Sequence, residues 1–494
     1  RESLHLQCIN YPKRSQRLAW LADTLPKIEG TGIIYTATTN DAENVTEWLK
    51  SRGIKAEAYY GNLKGLKSLE NSLERERREE ALLNNDLKVL VATSALGMGY
   101  DKPDLAFVIH YQSPGSAVSY YQQVGRAGRG IPKALGILLS GSEDDDIQNF
   151  FIQQSFPQEA LVEEILHVLD ESMHGMTLRE IEKQVNARHS KVEAAIKFLL
   201  VESPAPLVIS NPSPKKYSRT TIEYQLPHET IARLCGIKQQ EWQTMQAYLA
   251  SENCLMKFLS HELDDRDAEP CGKCMNCAPE GMLSIDFSHD TAVAAAEFLE
   301  NIFIEIPPKK QAGNTAERFP VYDFPYNLGV LEHMPGRVLC RWGEAGWGEI
   351  AKQGKQQRHF DDRLVAASAK LIRERWGIEP FPSWLTFVPS HRHPQLVADF
   401  AKRLAKHLGI RYIDVVKKVK NNSAQKNMEN TEFRCKNLDG AFDINADDII
   451  DGSVLLIDDA VDSGWTFAVV SALLLRAGSG PIFPFALMST STGS

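Results

Sequence analysis

No stretch of this chain approaches the ~20 consecutive apolar residues that a membrane span needs, so none of it is expected to cross a bilayer. There is no Gly-x-x-x-x-Gly-Lys-[Ser/Thr] loop and no Asp-Glu-x-His string, which excludes a self-contained phosphate loop of the P-loop kind. Internal repeats and low-complexity tracts are also missing. The first residues, Arg1-Glu2-Ser3-Leu4-His5, include no initiator Met and no basic stretch followed by an apolar core, so no signal peptide is read there. They read instead as the interior of a longer protein. Cysteine is sparse: four of eight are scattered (Cys8, Cys235, Cys340, Cys435), and only Cys254, Cys271, Cys274 and Cys277 cluster. Paired spacing without a secretory start favours a metal over disulfides, and hence a reducing cytosol.

What is present suits a multidomain protein. A length of 494 residues exceeds one core, and typical domain sizes predict about three to five. Hydrophobic residues at 43% and charged residues at 24% are ordinary for globular chains. The net charge of −9 argues against a wholly basic nucleic-acid binder, although phosphate contacts depend on local Lys and Arg clusters rather than on the total.

The pattern along the chain predicts an α/β multidomain fold. Over 1–153, apolar runs such as Gly32–Tyr35, Val89–Ala92, Phe107–His110 and Leu135–Leu139 alternate with amphipathic stretches, which predicts buried parallel strands in βαβ order. Asp41 is the expected cap of the helix over Ala42–Lys50, and Gly65–Leu83 reads as a charged helix. Over 154–230, three short helical patterns precede the apolar run Leu207–Ile209, the turn Asn211–Pro214 and the basic stretch Lys215–Arg219, the order of a winged helix. A helical hairpin leads into the cysteine cluster over 231–282. Residues 283–318, with Pro307-Pro308-Lys309-Lys310, are expected to be a linker, and 319–494 a second α/β domain.

Cys254 followed by Cys271-Gly272-Lys273-Cys274-Met275-Asn276-Cys277 supplies four thiolates that can wrap one tetrahedral ion. Zinc is the natural occupant, and with four protein ligands its role is structural. Buried free cysteines or a redox pair are the other readings.

Two further strings carry chemistry. The first is Val91–Pro103, with Thr93, Gly97, Gly99 and Asp101, followed by Ser119-Tyr120-Tyr121-Gln122-Gln123-Val124-Gly125-Arg126-Ala127-Gly128-Arg129. It resembles motifs V and VI of RecQ-family helicases. The resemblance implies the second of two RecA-like domains, with Thr93, Gly97, Gly99 and Asp101 facing ATP or DNA and with Gln122, Arg126 and Arg129 as catalytic residues. Fixed guanidinium charge on phosphate oxygens is the job of an arginine finger, whereas two surface salt bridges would be the plain alternative. It also implies that ATP and Mg²⁺ are held by an upstream motor domain missing from this chain, so that this chain alone does not hydrolyse ATP. Movement along DNA is then 3′→5′, and single strands and duplex junctions are the partners. Gly130 stands where the family has Asp, and the segment Tyr60–Leu83 is longer than usual. The cysteine spacing resembles the RecQ zinc subdomain as well. The winged helix precedes that subdomain instead of following it, and reads as an insertion. Its Lys191, Lys197, Lys215, Lys216 and Arg219 are the candidate DNA contacts, and protein docking is the alternative role.

The second string, Val454-Leu455-Leu456-Ile457-Asp458-Asp459-Ala460-Val461-Asp462-Ser463-Gly464-Trp465-Thr466, joins an apolar strand, two carboxylates and a phosphate loop opening a helix. Together with Gln425 to Arg434 and Leu438–Phe442, it resembles type I phosphoribosyltransferases of the ComF-like branch. The resemblance implies PRPP or a nucleotide with Mg²⁺ at Asp458, Asp459, Asp462, Ser463, Gly464 and Thr466, with Arg392 in the pyrophosphate loop. Asp462 replaces a usual Thr and is expected to weaken phosphate binding. A bacterial cytosol or nucleoid is the expected location. The rival readings are a DNA-binding scaffold with a nucleotide-sensing domain, and a true phosphoribosyltransferase targeted by the helicase part.

Overall fold

Runs of β-branched and aliphatic residues bounded by amphipathic helices bury both faces of a sheet, and this chain builds two such sheets. The computed structural model describes residues 2–63, 66, 68–97, 100–300, 302, 304–343 and 346–490; Gly65 and Gly99 of the expectations above lie outside them. The chain divides into two units, one made of Arg1–Phe156 with Pro227–Ile302, the other of Pro157–Leu226 with Phe303–Thr492.

In the first unit, strands β1 (Leu4–Asn10), β2 (Thr31–Tyr35), β3 (Ala56–Tyr59), β4 (Val89–Ala92), β5 (Leu105–His110) and β6 (Ala134–Ser140) form one sheet in the order β1-β6-β5-β2-β4-β3. Every pairing is parallel. The central residues Ile33, Ile34, Leu90, Val91 and Val108 are fully buried, as a sheet covered on both faces requires. Helix Thr39–Ser51 is capped by the Thr38 hydroxyl, which accepts from the Asp41 amide at 3.1 Å. The expected cap, Asp41, lies one turn too far in; its carboxylate accepts from the Thr38 hydroxyl at 2.7 Å instead.

The expected linker over 283–318 needs correction. Helix His289–Glu300 packs on helix Arg14–Thr24 of the first unit, with Phe287 against Tyr11 and Phe298 against Trp48. The Trp20 indole donates to the Ser284 carbonyl at 2.9 Å. Ala292, Ala295 and Leu299 repeat at helical spacing and bury one face, which outweighs the turn-forming residues around them.

The second unit begins with helices Glu159–Asp170, Leu178–Glu182 and His189–Val201 and an antiparallel hairpin, β7 (Leu207–Pro212) with β8 (Lys215–Arg219). Its large sheet uses β9 (Ile304–Ile306), β10 (Gly336–Arg341), β11 (Trp384–Phe387), β12 (Arg411–Tyr412), β15 (Val454–Val461) and β16 (Ile482–Ser489), in the order β12-β11-β15-β16-β10-β9. All pairs are parallel except β9 with β10. A small ribbon of β13 (Val416–Lys418) and β14 (Phe442–Ile444) stands apart from it. The second part of the expected linker is therefore an edge strand, β9, followed by a segment whose Ala312 is fully buried and bonded to the Tyr326 carbonyl.

Candidate functional site

Helix Ala117–Val124 carries the first site. Ser116 caps it, and its inner face is pinned by Tyr120 against His110 and by Gln123, whose side chain meets His110 Nε2 at 2.6 Å. Burial drives the His110 pKa down to about 4, so the ring is neutral near pH 7 and stacks on Tyr35 as an uncharged partner. Beyond the helix the backbone turns at Gly128, whose φ of +72° and whose missing Cβ, which would lie 2.4 Å from Ser3 Oγ, admit only glycine.

This turn separates the two arginines. Arg126 is buried, and its guanidinium donates to the Tyr100 carbonyl at 3.2 Å and lies beside the Tyr35 hydroxyl. Arg129 is exposed and pairs with Asp101 at 2.7 Å. The two motif strings thus meet through Tyr100–Arg126 and Asp101–Arg129, contacts that local sequence gave no sign of. Thr93 is buried at the end of β4, where its hydroxyl accepts from the Ala95 amide, while Gly97 and Gln122 are exposed. A Cβ at Gly97 would meet nothing closer than 3.8 Å, so no tight packing explains that glycine.

The four clustered cysteines converge: their Sγ atoms all lie within 4.8 Å of one another. Tetrahedral zinc with bonds of about 2.3 Å separates its sulfurs by roughly 3.8 Å, and Cys254 and Cys274 already stand 3.9 Å apart. Burial raises the Cys254 thiol, but amides of Cys271 and Lys257, at 3.2 and 3.4 Å, favour its thiolate and bring its pKa to about 7. Cys277 has no such net help and is pushed up to about 12 by burial and its neighbouring thiols. The set fits a zinc-type tetrahedral cation, which supplies the charge that four crowded thiolates need.

In the second unit, Asp458 and Asp459 stand near the C-terminal end of β15, the edge where parallel sheets bind ligands. Lys355, from the distant helix Trp347–Gln357, reaches Asp459 at 2.9 Å. Asp458 is raised well above the usual carboxylate range by burial and by the charge of Asp459, and it lies within electrostatic reach of Lys418. Arg392 lies on the exposed loop after β11 and also feels Lys418. The chain then turns through Ser463 and Gly464, whose φ of +78° suits glycine, into helix Trp465–Arg476, with Thr466 in its first turn.

Asp462 does not present a bare charge there: it pairs with Arg434, which is itself held by the Met428 carbonyl at 2.6 Å. The expected electrostatic penalty at Asp462 is therefore largely compensated.

The five residues expected to contact DNA are mostly engaged. Lys191 pairs with Glu429 at 3.0 Å, Lys197 with Glu193 at 2.8 Å, and Arg219 with Asp170 at 3.4 Å. Lys215 is exposed and lies over the Tyr217 ring, and Lys216 is half-buried.

Comparison with known proteins bears on the first unit. Residues 16–130 match the family model described as "Helicase conserved C-terminal domain". The chain is 41% identical to the ATP-dependent DNA helicase RecQ of Bacillus subtilis (strain 168) over 128 residues, 26% of this chain and 20% of that protein. It is 26% identical to the probable ATP-dependent DNA helicase RecS of the same organism, over 55% of this chain and 53% of that protein. It is 28% identical to the RecQ helicase of Synechocystis sp., over 56% of this chain and 55% of that protein. The chain thus spans at most about half the length of these relatives. Among solved structures, the E. coli DEAD-box protein SrmB bound to regulator of ribonuclease activity A is 23% identical with a TM-score of 0.26, covering 30% of this chain and 84% of that one. Residues 16–130 therefore resemble a helicase C-terminal domain, and the chain is similar in sequence to RecQ-type helicases.

Proposed function

We propose that this chain is the C-terminal part of an ATP-dependent 3′→5′ DNA helicase of RecQ type, acting on single strands and duplex junctions. The observation that carries the reading is the pairing of Arg129 with Asp101 beside the buried Arg126, within the segment that matches the helicase domain. Arg126 is the positioned member of the pair and Arg129 the mobile one: an exposed ion pair is worth little, so Arg129 exchanges Asp101 for an ATP phosphate at small cost. ATP with Mg²⁺ is held by a motor domain outside these residues, since the sequence has no phosphate loop of its own. Gln122, Thr93, Gly97 and Asp101 face the same nucleotide or the DNA strand. Lys215 and Lys216 of the winged module, with Lys191, Lys197 and Arg219, contact duplex phosphates. Cys254, Cys271, Cys274 and Cys277 hold a structural zinc.

In the full-length enzyme, Arg129→Ala should lower DNA-stimulated ATP turnover about a hundredfold or more while DNA binding persists. Unchanged turnover in both Arg126→Ala and Arg129→Ala would refute the assignment.

A second reading concerns the C-terminal sheet. It is favoured by the carboxylate pair Asp458–Asp459 followed by a glycine-turned helix start, and it makes this domain a phosphoribosyltransferase-like binder of PRPP or a nucleotide. Asp458 and Asp459 hold ribose hydroxyls or Mg²⁺, Ser463, Gly464 and Thr466 hold the 5′-phosphate, and Arg392 neutralises pyrophosphate. Arg434, released from Asp462, is a further phosphate partner that the sequence pattern alone did not identify.

A further inference from the structure

Within the second unit, the winged module rests on the phosphoribosyltransferase-like sheet domain through one loop, and the contact uses the start of the module's third helix. Asn186, just before helix His189–Val201, brackets that loop on both sides. Its side-chain amide donates to the Asn427 carbonyl at 2.8 Å, and its oxygen accepts from the Glu429 amide at 2.9 Å. Asn430 returns the contact, donating to the carbonyls of Glu182 and Val185 at 3.0 and 2.8 Å. Lys191, in the first turn of the helix, pairs with Glu429. A second ion pair, Lys183 with Glu317 at 2.8 Å, flanks the contact. Arg188 and His189 line a cleft of about 570 Å³ together with Arg434 and Ser463.

A third helix that reads duplex DNA does so with its N-terminal residues in the major groove. Here Asn186 and Lys191 are engaged by the neighbouring domain, while His189 pairs with Glu182 of its own module. We propose that this docking is autoinhibitory: the Asn427–Asn430 loop and duplex DNA compete for the start of helix His189–Val201, so the module binds duplex strongly only when released. The inference rests on the reading of the module as a duplex contact. The loop is also tied to the phosphate site, because Asn430 caps helix Thr431–Leu438, which carries Arg434 to Asp462. Contact and phosphate loop therefore share one helical turn.

The test uses the full 494-residue chain. Asn186→Ala combined with Glu429→Lys removes two hydrogen bonds and sets a like charge against Lys191. Hydrogen exchange at 186–191 and 427–431 reports release, and anisotropy of a short fluorescent duplex reports binding. Faster exchange with duplex affinity raised about tenfold or more, and a steeper salt dependence, is the expected result. Lys215→Glu with Lys216→Glu should cancel the gain. Faster exchange with unchanged or weaker binding would overturn the autoinhibition, and so would exchange that does not change at all. If the Lys215 and Lys216 reversals leave duplex affinity unaltered in both backgrounds, the duplex-contact reading itself falls and the inference falls with it. If they lower wild-type affinity while the release variant gains nothing, only the autoinhibition is lost.

Discussion

Each unit carries an arginine paired with an aspartate at its candidate phosphate site, yet the two pairs differ in exposure. The Arg129 and Asp101 side chains are 38% and 58% exposed, whereas Arg434 is 7% and Asp462 29% exposed. In solvent an ion pair gains almost nothing and dissolves readily when a better anion arrives. A buried pair is different, because removing one partner strands the other's charge in a poor solvent. The first pair can exchange partners at small cost, whereas the second ties Asp462 to helix Thr431–Leu438.

Disturbing the metal site should have the largest effect. Stripping zinc with a chelator, or Cys274→Ser, should unfold the cysteine hairpin and lower stability by several kcal/mol, on the order of 5 or more, because ion binding there is part of folding. Elemental analysis and thermal melting check this; a folded, zinc-free protein with an unchanged melting curve would refute it. That result would also show that the first unit needs no staple beyond its core.

Arg434→Ala comes next. It leaves Asp462 without its cation, and a destabilisation of about 2–3 kcal/mol is expected, discounted from the fully buried case for the exposure of Asp462. Asp462→Thr should instead free Arg434 and tighten PRPP binding in calorimetry. If both variants are neutral in stability and ligand binding, the two pairs are equivalent and the contrast drawn above is wrong.

Asp458 sharpens the comparison through pH. Its folded pKa is raised by burial and by Asp459, so its contribution to stability is complete below the ordinary carboxylate range and is lost as pH rises through the raised value. Asp458→Asn should flatten that decline in pH-dependent melting. Over the same window, affinity for Mg²⁺-pyrophosphate should grow with pH in the native chain, because the proton must leave before the cation binds. An affinity independent of pH would contradict this.

The smallest effect is predicted for Arg129→Ala, which should change stability by less than about 0.5 kcal/mol because its partner is exposed. A loss comparable to that of Arg434→Ala in chemical denaturation would erase the distinction between an exposed and a buried arginine.

Much of the fold was legible. Four runs, Gly32–Tyr35, Val89–Ala92, Phe107–His110 and Leu135–Leu139, all lie in strands of the parallel sheet, because fully buried strands need unbroken apolar residues. The helix His289–Glu300 was missed: its alanines carry little hydrophobic weight, and the neighbouring Pro-Pro-Lys-Lys stretch dominates the local pattern. Strand β10 was missed as well, since Gly336-Arg337 opens it and Arg341 closes it. At the sites, the cysteines could be assembled from spacing alone. Lys355 could not, because it reaches Asp459 from more than a hundred residues upstream.

By itself the sequence determined which residues form buried strands, where four thiolates occur within reach of one ion, and where glycines allow the backbone to turn sharply. These properties are local: a strand's burial is written in its own side chains, and a Cys-x-x-Cys step fixes its own geometry. Only the tertiary structure decided which charges are already neutralised. Asp462 meets Arg434, Asp101 meets Arg129, and Lys191 meets Glu429 across separations in sequence that no periodicity encodes. An ion pair depends on distance and burial, and both are set by the packing of whole elements.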